Sequence, residues 1–344
     1  MSTMELRDST RLEDFGSPYV VAEVNAGHSG NIETAKAMIS QAQQAGCDCI
    51  KFQSWSAETL YSKTYYDSNP IAKRMVDAFS FSEAELSEAA TYSKECGIAF
   101  SSTPYSLREV DFLLEVCGAP FVKVASMDLT NTPFLEHIAR SGAPIVLSTG
   151  MGELTEIRKA VDTIVGAGNE NICLLHCIAI YPPATATIRL NNILGLREEF
   201  PGIPIGFSDH SIGIEMASAA TALGACIIEK HFTLDRQKIG MDNQIAVEPE
   251  EMAQLVQNCH NIQTALGDRE RVVLPAEMAQ REKMRRSIVA VRDLEAGTEL
   301  TAADMDAKRP GTGLSPDRVG ELVGKVLLHD VEADTLIMVG DVAE

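Results

Sequence analysis

The sequence predicts an α/β protein, a (β/α)8 TIM barrel followed by a small β-rich domain, and three observations predict it. Eight short apolar runs alternate with amphipathic stretches between Tyr19 and about Gly267. No Gly-x-Gly-x-x-Gly follows the first run, which removes the main mark of a doubly wound nucleotide-binding sheet. A six-residue motif recurs inside the C-terminal tail.

The runs lie at 20–24, 49–52, 98–101, 121–125, 145–148, 172–177, 204–208 and 226–230. They are rich in β-branched residues and lack polar alternation, as parallel strands buried on both faces should be. Helices with readable start signals separate them. Ser82 with Glu85 reads as a capping box, with Phe81 and Leu86 as its hydrophobic staple. Ser106 with Glu109 reads as a second box, and Thr132 before Pro133 as an N-cap and first helical residue. Ala35, Met38, Ile39 and Ala42 form one apolar stripe, ended by Gly46. Met252, Leu255, Val256, Cys259 and Ile262 form the stripe of the last barrel helix. Eight such units in about 250 residues match a TIM barrel, which gives a catalytic domain over 1–267.

Residues 268–284 are polar, mixed in charge and contain Pro275, and read as a linker. The tail, 285–344, carries the repeat: Asp293, Leu294, Glu295, Ala296, Gly297 and Thr298 return as Asp330, Val331, Glu332, Ala333, Asp334 and Thr335. Asp304 and Asp341 follow at the same offset, so the tail reads as two similar halves with turns at Gly297 and Asp334.

Composition narrows the function. An apolar fraction of 45% with no apolar run near the roughly 18 residues of a membrane span reads as a soluble globular protein. The first fifteen residues lack an apolar signal core. A net charge of −20 argues against nucleic acid and anionic membranes as partners, although a pocket can still be locally basic. The eight cysteines lie mostly in apolar runs, and Cys47 and Cys49 could share a strand face without forming a metal knuckle. Buried, reduced thiols in a cytoplasmic protein are expected.

Chemistry in such a barrel sits at the C-terminal ends of the strands, and every run here ends in polar groups. Lys51 and Lys123, with the hydroxyls of Ser126, Ser148 and Ser208, make a site for a phosphate and a carboxylate. The plainer reading pins both lysines in barrel-end ion pairs. His210 and His231 close adjacent strands and could share one ion, leaving positions for water and substrate oxygen. That suits a weakly held Mn²⁺, with Mg²⁺ or Co²⁺ as substitutes, polarising a carbonyl. His28 and His176 read as structural. Glu23 is the candidate general acid/base.

These residues fall into motifs. Ala22-Glu23-Val24, Gly27-His28-Ser29-Gly30, Lys51-Phe52-Gln53, Ser102-Thr103-Pro104 and Leu147-Ser148-Thr149-Gly150-Met151 resemble successive motifs of sialic acid synthases. So do Leu175-His176-Cys177, Tyr181-Pro182, Gly206-Phe207-Ser208-Asp209-His210 and the run from Glu229 to Asp235. Lys308-Arg309-Pro310-Gly311-Thr312-Gly313 resembles the signature loop of the SAF domain, an antifreeze-like β-clip fold. The resemblance implies condensation of phosphoenolpyruvate with an N-acylated mannosamine-like aldose, giving a nonulosonic 2-keto acid and phosphate. It implies that Lys51, Lys123, Ser126, Ser148, Tyr181 and Ser208 hold phosphoenolpyruvate. Gln53, Thr103, Asp242 and Arg309 would orient the sugar, with Arg309 supplied by the partner of a domain-swapped homodimer. Glu23 would direct water to the oxocarbenium-like C2.

The chain departs from the pattern at Asn25-Ala26-Gly27, Ala179, Gly240-Met241-Asp242-Asn243 and Ala246-Val247. These loops face the expected sugar position, so the acceptor is expected to differ from plain N-acetylmannosamine. Two alternatives remain open. One is a Schiff-base aldolase using Lys123 or Lys230. The other is a non-catalytic carbohydrate-binding protein.

Overall fold

A computed structural model describes residues 2–238 and 240–343. The chain divides into two units, Met1–Gly267 and Asp268–Glu344. No helix among the described residues is long and apolar enough to cross a membrane.

The first unit is a barrel of eight parallel strands: β1 Tyr19–Asn25, β2 Cys49–Gln53, β3 Ala99–Thr103, β4 Val122–Val124, β5 Ile145–Ser148, β6 Ile172–Cys177, β7 Ile205–Asp209 and β8 Ile227–His231. Each pairs with its neighbour in the order β3-β2-β1-β8-β7-β6-β5-β4. The two ends approach each other where Ser101 Oγ donates to Phe121 O (3.4 Å).

Strand periodicity explains the layering. Side chains alternate between faces, so Val20, Ala22 and Val24 face the surrounding helices. Tyr19 and Val21 join the barrel-interior cluster with Cys49, Phe121, Val146, Cys173, Leu175, Cys226 and Ile227. One step further on the same interior face stand Glu23, Lys51, Lys123, Ser148, Cys177 and Glu229. The interior is therefore apolar at its base and polar at its C-terminal mouth. A hairpin, Thr3–Glu5 with Arg11–Glu13, covers the base through Met4, Leu6 and Leu12.

Helix signals are realised unevenly. Ser82 and Glu85 form the reciprocal capping box, and the Ala35, Met38, Ile39 and Ala42 stripe is buried. The second box is half made: Ser106 Oγ accepts from Glu109 N, but the Glu109 carboxylate takes the Tyr105 N–H. Thr132 is the first helical residue, not the cap; Asn131 precedes it and makes no side-chain cap bond. Cys47 and Cys49 go to different cores, because Cys47 precedes the strand and packs among the helices. All eight cysteines are free.

Between β2 and the next barrel helix, Glu83–Cys96, the chain makes an excursion through two helices, Lys63–Ser68 and Pro70–Phe79, with no counterpart in the apolar runs. Its Tyr66 and Val76 pack on Ala26 and Trp55.

In the C-terminal unit, Pro275 opens an exposed helix, Pro275–Met284, within the stretch read as a linker; proline suits a first turn because its missing N–H is unpaired there anyway. Strands β9 Ser287–Ala290 and β10 Met305–Lys308 pair antiparallel. The repeat becomes a pseudo-twofold: Leu294 and Val331 exchange both backbone bonds (2.9 and 2.8 Å). Asp293 Oδ1 accepts from Ala333 N (2.7 Å), while Asp330 Oδ1 accepts from Ala296 N (2.8 Å). Gly297 and Asp334 both take positive φ, 88° and 64°. Asp304 and Asp341 each cap a short helical turn.

Candidate active site

The barrel mouth opens into a cleft of about 560 Å³. It brings together Glu23, Lys51, Gln53, Thr103, Lys123, Ser126, Ser148, Tyr181, Ser208, His210, His231 and Asp242. Arg309 lies apart in sequence, exposed in the loop after β10 of the C-terminal unit.

The register aligns the charged groups. Glu23 lies beside Lys51 on β2 and beside His231 on β8, and Glu229 lies beside Ser208 on β7. Lys51 Nζ is ion-paired with Glu23, donates to Thr103 Oγ1 (3.1 Å) and is 3.7 Å from Glu229. Lys123 Nζ donates to Ser148 Oγ (2.8 Å) and is 3.6 Å from Glu229. Glu229, a strand-end residue to which the sequence reading gave no role, thus bridges the two ammonium groups and accepts from Ser208 Oγ (3.0 Å). Its place two residues before His231 on the same strand face was the available signal.

Electrostatics divides these groups. Burial pushes the Glu23 carboxyl up, against the pull of Lys51. Burial also acts to raise Glu229, but Lys123, Lys51 and the Ser208 hydroxyl outweigh it and hold it below the ordinary carboxylate value. Burial opposes the charge of Lys51, yet Glu229 and Glu23 together keep its pKa above the ordinary value. Lys123 moves the other way, because burial exceeds what Glu229 returns. The ion pairs of the plainer reading therefore exist, and they leave Lys123 short of countercharge.

The two imidazoles stand with centroids 5.4 Å apart, and Tyr181 stacks on His210 at 4.1 Å. A carbonyl can only accept, so His210 Nδ1–H donates to Ile178 O (2.7 Å) and Nε2 keeps its lone pair. Burial lowers the pKa of both rings, with His210 adding to the effect on His231, so both are neutral at pH 7. Among the described residues no group of three or more His, Cys, Asp or Glu could hold a metal ion.

His28 and His176 make structural contacts away from the two imidazoles. His28 stacks on Phe81 at 3.8 Å and accepts from Gly30 N, and burial lowers its pKa to about 4. His176 bonds Ile188 O (2.7 Å). Lys230 faces away from the barrel interior, one residue out of step with Glu229, and is paired with Asp209 (2.9 Å) at 0% exposure. That placement removes it from the cleft.

Asn25 and Met241, from the loops expected to face the sugar, line the cleft, with others to which the sequence reading gave no role. A register shift after Glu23 turns Asn25 into the mouth, where Nδ2 donates to Asp242 Oδ2 (2.5 Å). Trp55, Tyr105, Met127, Met151 and Met241 complete the wall.

The family model described as the NeuB family matches residues 38–271, most of the barrel unit. The chain belongs to the NeuB family. The SAF domain model matches residues 285–343. The N,N'-diacetyllegionaminic acid synthase of Legionella pneumophila is 34% identical over 93% of both chains. The N-acetylneuraminate-9-phosphate synthase of Homo sapiens is 36% identical over 93% of this chain and 91% of its own. Among solved structures, N-acetylneuraminic acid (sialic acid) synthetase from Leptospira borgpetersenii, in complex with citrate, superimposes with a TM-score of 0.75 at 32% identity, covering 81% of this chain and 95% of that one. As a NeuB family member the chain is an enzyme, a phosphoenolpyruvate-condensing nonulosonic acid synthase with a C-terminal SAF domain.

Proposed function

We propose that this NeuB family enzyme joins phosphoenolpyruvate to an N-acylated amino-hexose other than plain N-acetylmannosamine. The observation that carries the anion half is the convergence of two buried ammonium groups, Lys51 and Lys123, with three cleft hydroxyls on one mouth, where Lys123 shares its single carboxylate, Glu229, with Lys51. The carboxylate and phosphate of phosphoenolpyruvate supply the missing countercharge, held by Lys51, Lys123, Ser126, Ser148, Tyr181 and Ser208. Gln53, Thr103 and Asp242 orient the sugar, with Arg309 contributed by a second copy in a domain-swapped homodimer.

The donor set at His210 and His231 fits a divalent ion such as Mn²⁺, since two neutral imidazoles offer lone pairs and, among the described residues, no third protein ligand closes the site. When bound, such an ion polarises the sugar carbonyl as a Lewis acid. The chain's own residues do the rest. Lys51 and Lys123 fix the phosphoenolpyruvate so that its C3 meets the aldehyde carbon and forms the new C–C bond. Glu23, whose environment pushes its pKa up while that of Glu229 is held down, takes a proton from the water that adds to C2. The C2 hydroxyl then gives up its proton as the C2–O bond to phosphate breaks, so phosphate leaves with that proton and the 2-keto acid forms, while Glu23 passes its proton to the alkoxide left by the aldehyde oxygen. Glu229 stays ionised and keeps the two lysines spaced.

Support for an unusual acceptor comes from the wall: Asn25, Ala179 and Met241, all at departures from the family pattern, line the cleft together. Product mass from phosphoenolpyruvate, Mn²⁺ and a panel of N-acyl, di-N-acyl and deoxy hexoses tests it. Preference for plain N-acetylmannosamine sinks the acceptor half. Borohydride trapping of pyruvate on Lys123 without phosphate release would replace the whole reading with a Schiff-base aldolase.

A further inference from the structure

Gln53 has a terminal amide whose two ends can be told apart chemically. Trp55 Nε1 lies 3.0 Å from one end, and an indole N–H can only donate. That end is therefore Oε1. Tyr105 OH meets the same atom at 2.7 Å. With the oxygen end committed to two donors, the nitrogen end faces Glu23 Oε1 at 2.8 Å. Asn25 N donates to the same carboxylate oxygen at 3.0 Å. Two neutral donors thus fix one Glu23 oxygen and leave Oε2, beside the Lys51 ammonium, uncommitted to any neutral donor.

The donors reach Gln53 from separate parts of the chain. Trp55 is buried at 2% exposure among Ala26, Tyr66 and Val76, so the excursion after β2 holds its ring. Tyr105 comes from the loop after β3. A phenylalanine at 105 keeps the ring and removes only the O–H, whereas at 55 it removes the N–H together with part of the bicyclic ring.

Resting on the synthase reading above, we infer that Trp55 and Tyr105 are positioning residues that lock the Gln53 amide with its NH2 toward Glu23. The lock keeps the Glu23 carboxylate aimed and leaves Gln53 able to meet a sugar only as a donor. Without both donors the amide is held only from the Glu23 side, and the aim of the carboxylate loosens.

The test is a set of variants: Trp55→Phe, Tyr105→Phe and the double, each in the wild-type and Gln53→Met backgrounds. Either single variant keeps one donor, so each should lose little, roughly threefold or less in kcat. The double should lose roughly 10- to 100-fold in kcat, as for a misaimed catalytic group, with KM for phosphoenolpyruvate nearly unchanged. In Gln53→Met the same two changes should cost nothing further, because they act through the amide. Equal losses in both backgrounds, or a double no worse than the singles combined, overturn the inference. Wild-type protein that turns over no acceptor refutes the synthase reading instead. The lock is then judged on the resting protein by the side-chain amide signals of Gln53 in NMR, assigned by their loss in Gln53→Met. They should move in the Tyr105→Phe and double variants, and unmoved signals overturn it.

Discussion

Replacing Lys230 with Met should destabilise the barrel unit by about 3–5 kcal/mol, the cost typical of breaking a buried ion pair on one side. Lys230 and Asp209 are 0% and 1% exposed with 2.9 Å between Nζ and Oδ2. At that separation and an effective dielectric of about 20, the direct attraction is on the order of 6 kcal/mol before desolvation is set against it. Lys230 also donates to Ser211 O, while Asp209 Oδ1 accepts from Ser211 N (2.8 Å). Removing the ammonium leaves the carboxylate buried with a single neutral donor. Methionine refills most of the volume, so the loss reports charge, not a cavity. The double variant Lys230→Met, Asp209→Asn removes both charges, keeps an acceptor for Ser211 N, and should recover all but about 1–2 kcal/mol. Urea unfolding followed on the barrel transition, with circular dichroism, gives these values, and a thermal scan should show the single variant lower by roughly 6–20 °C. A single variant within about 1 kcal/mol of wild type, or a double worse than the single, refutes the reasoning.

His28 predicts a pH window. Its pKa is about 4 in the fold against 6.5 for a histidine in the unfolded chain, so its contribution is full above pH 6.5 and is lost as pH falls toward 4. The loss is on the order of 3 kcal/mol at most, and a His28→Phe variant should show a flatter stability profile there; parallel profiles would contradict it. Glu23→Gln should abolish turnover with phosphoenolpyruvate binding kept, measured by calorimetry, whereas Glu229→Gln should weaken that binding by freeing the lysines from their spacing. His210→Ala and His231→Ala should each abolish Mn²⁺ binding by electron paramagnetic resonance titration, and full binding in either would remove the metal assignment.

The barrel was legible because its strands are buried on both faces, which leaves short apolar runs without polar alternation, eight times in turn with amphipathic helices. Most of the cleft was legible for a related reason: strand ends are short, and whatever polar residue closes a run is delivered to the mouth. Contacts that cross the sequence were not. Gln53 reads as one more strand-end amide, and only the fold brings Trp55 and Tyr105 to the same oxygen. Glu229 was hidden by its neighbours, since Glu229, Lys230 and His231 read as one polar cluster until strand alternation sends Lys230 outward. The excursion holding Tyr66 and Val76 escaped because its helices are short, mostly exposed and bury few residues each. Thr132 misled because a threonine before proline looks like a cap whether or not its hydroxyl finds a donor.

The pseudo-twofold of the C-terminal unit has a consequence for divisibility. The turn of each half is met by an aspartate supplied by the other, Asp330 to Ala296 and Asp293 to Ala333. A half-length peptide therefore lacks an acceptor it cannot provide for itself. Its complement has the same spacing as its own sequence, so the nearest substitute for the missing half is another molecule of the same peptide. What one chain now accomplishes by repetition, two identical strands in solution could accomplish by meeting, and the loop between the halves spares the protein that search.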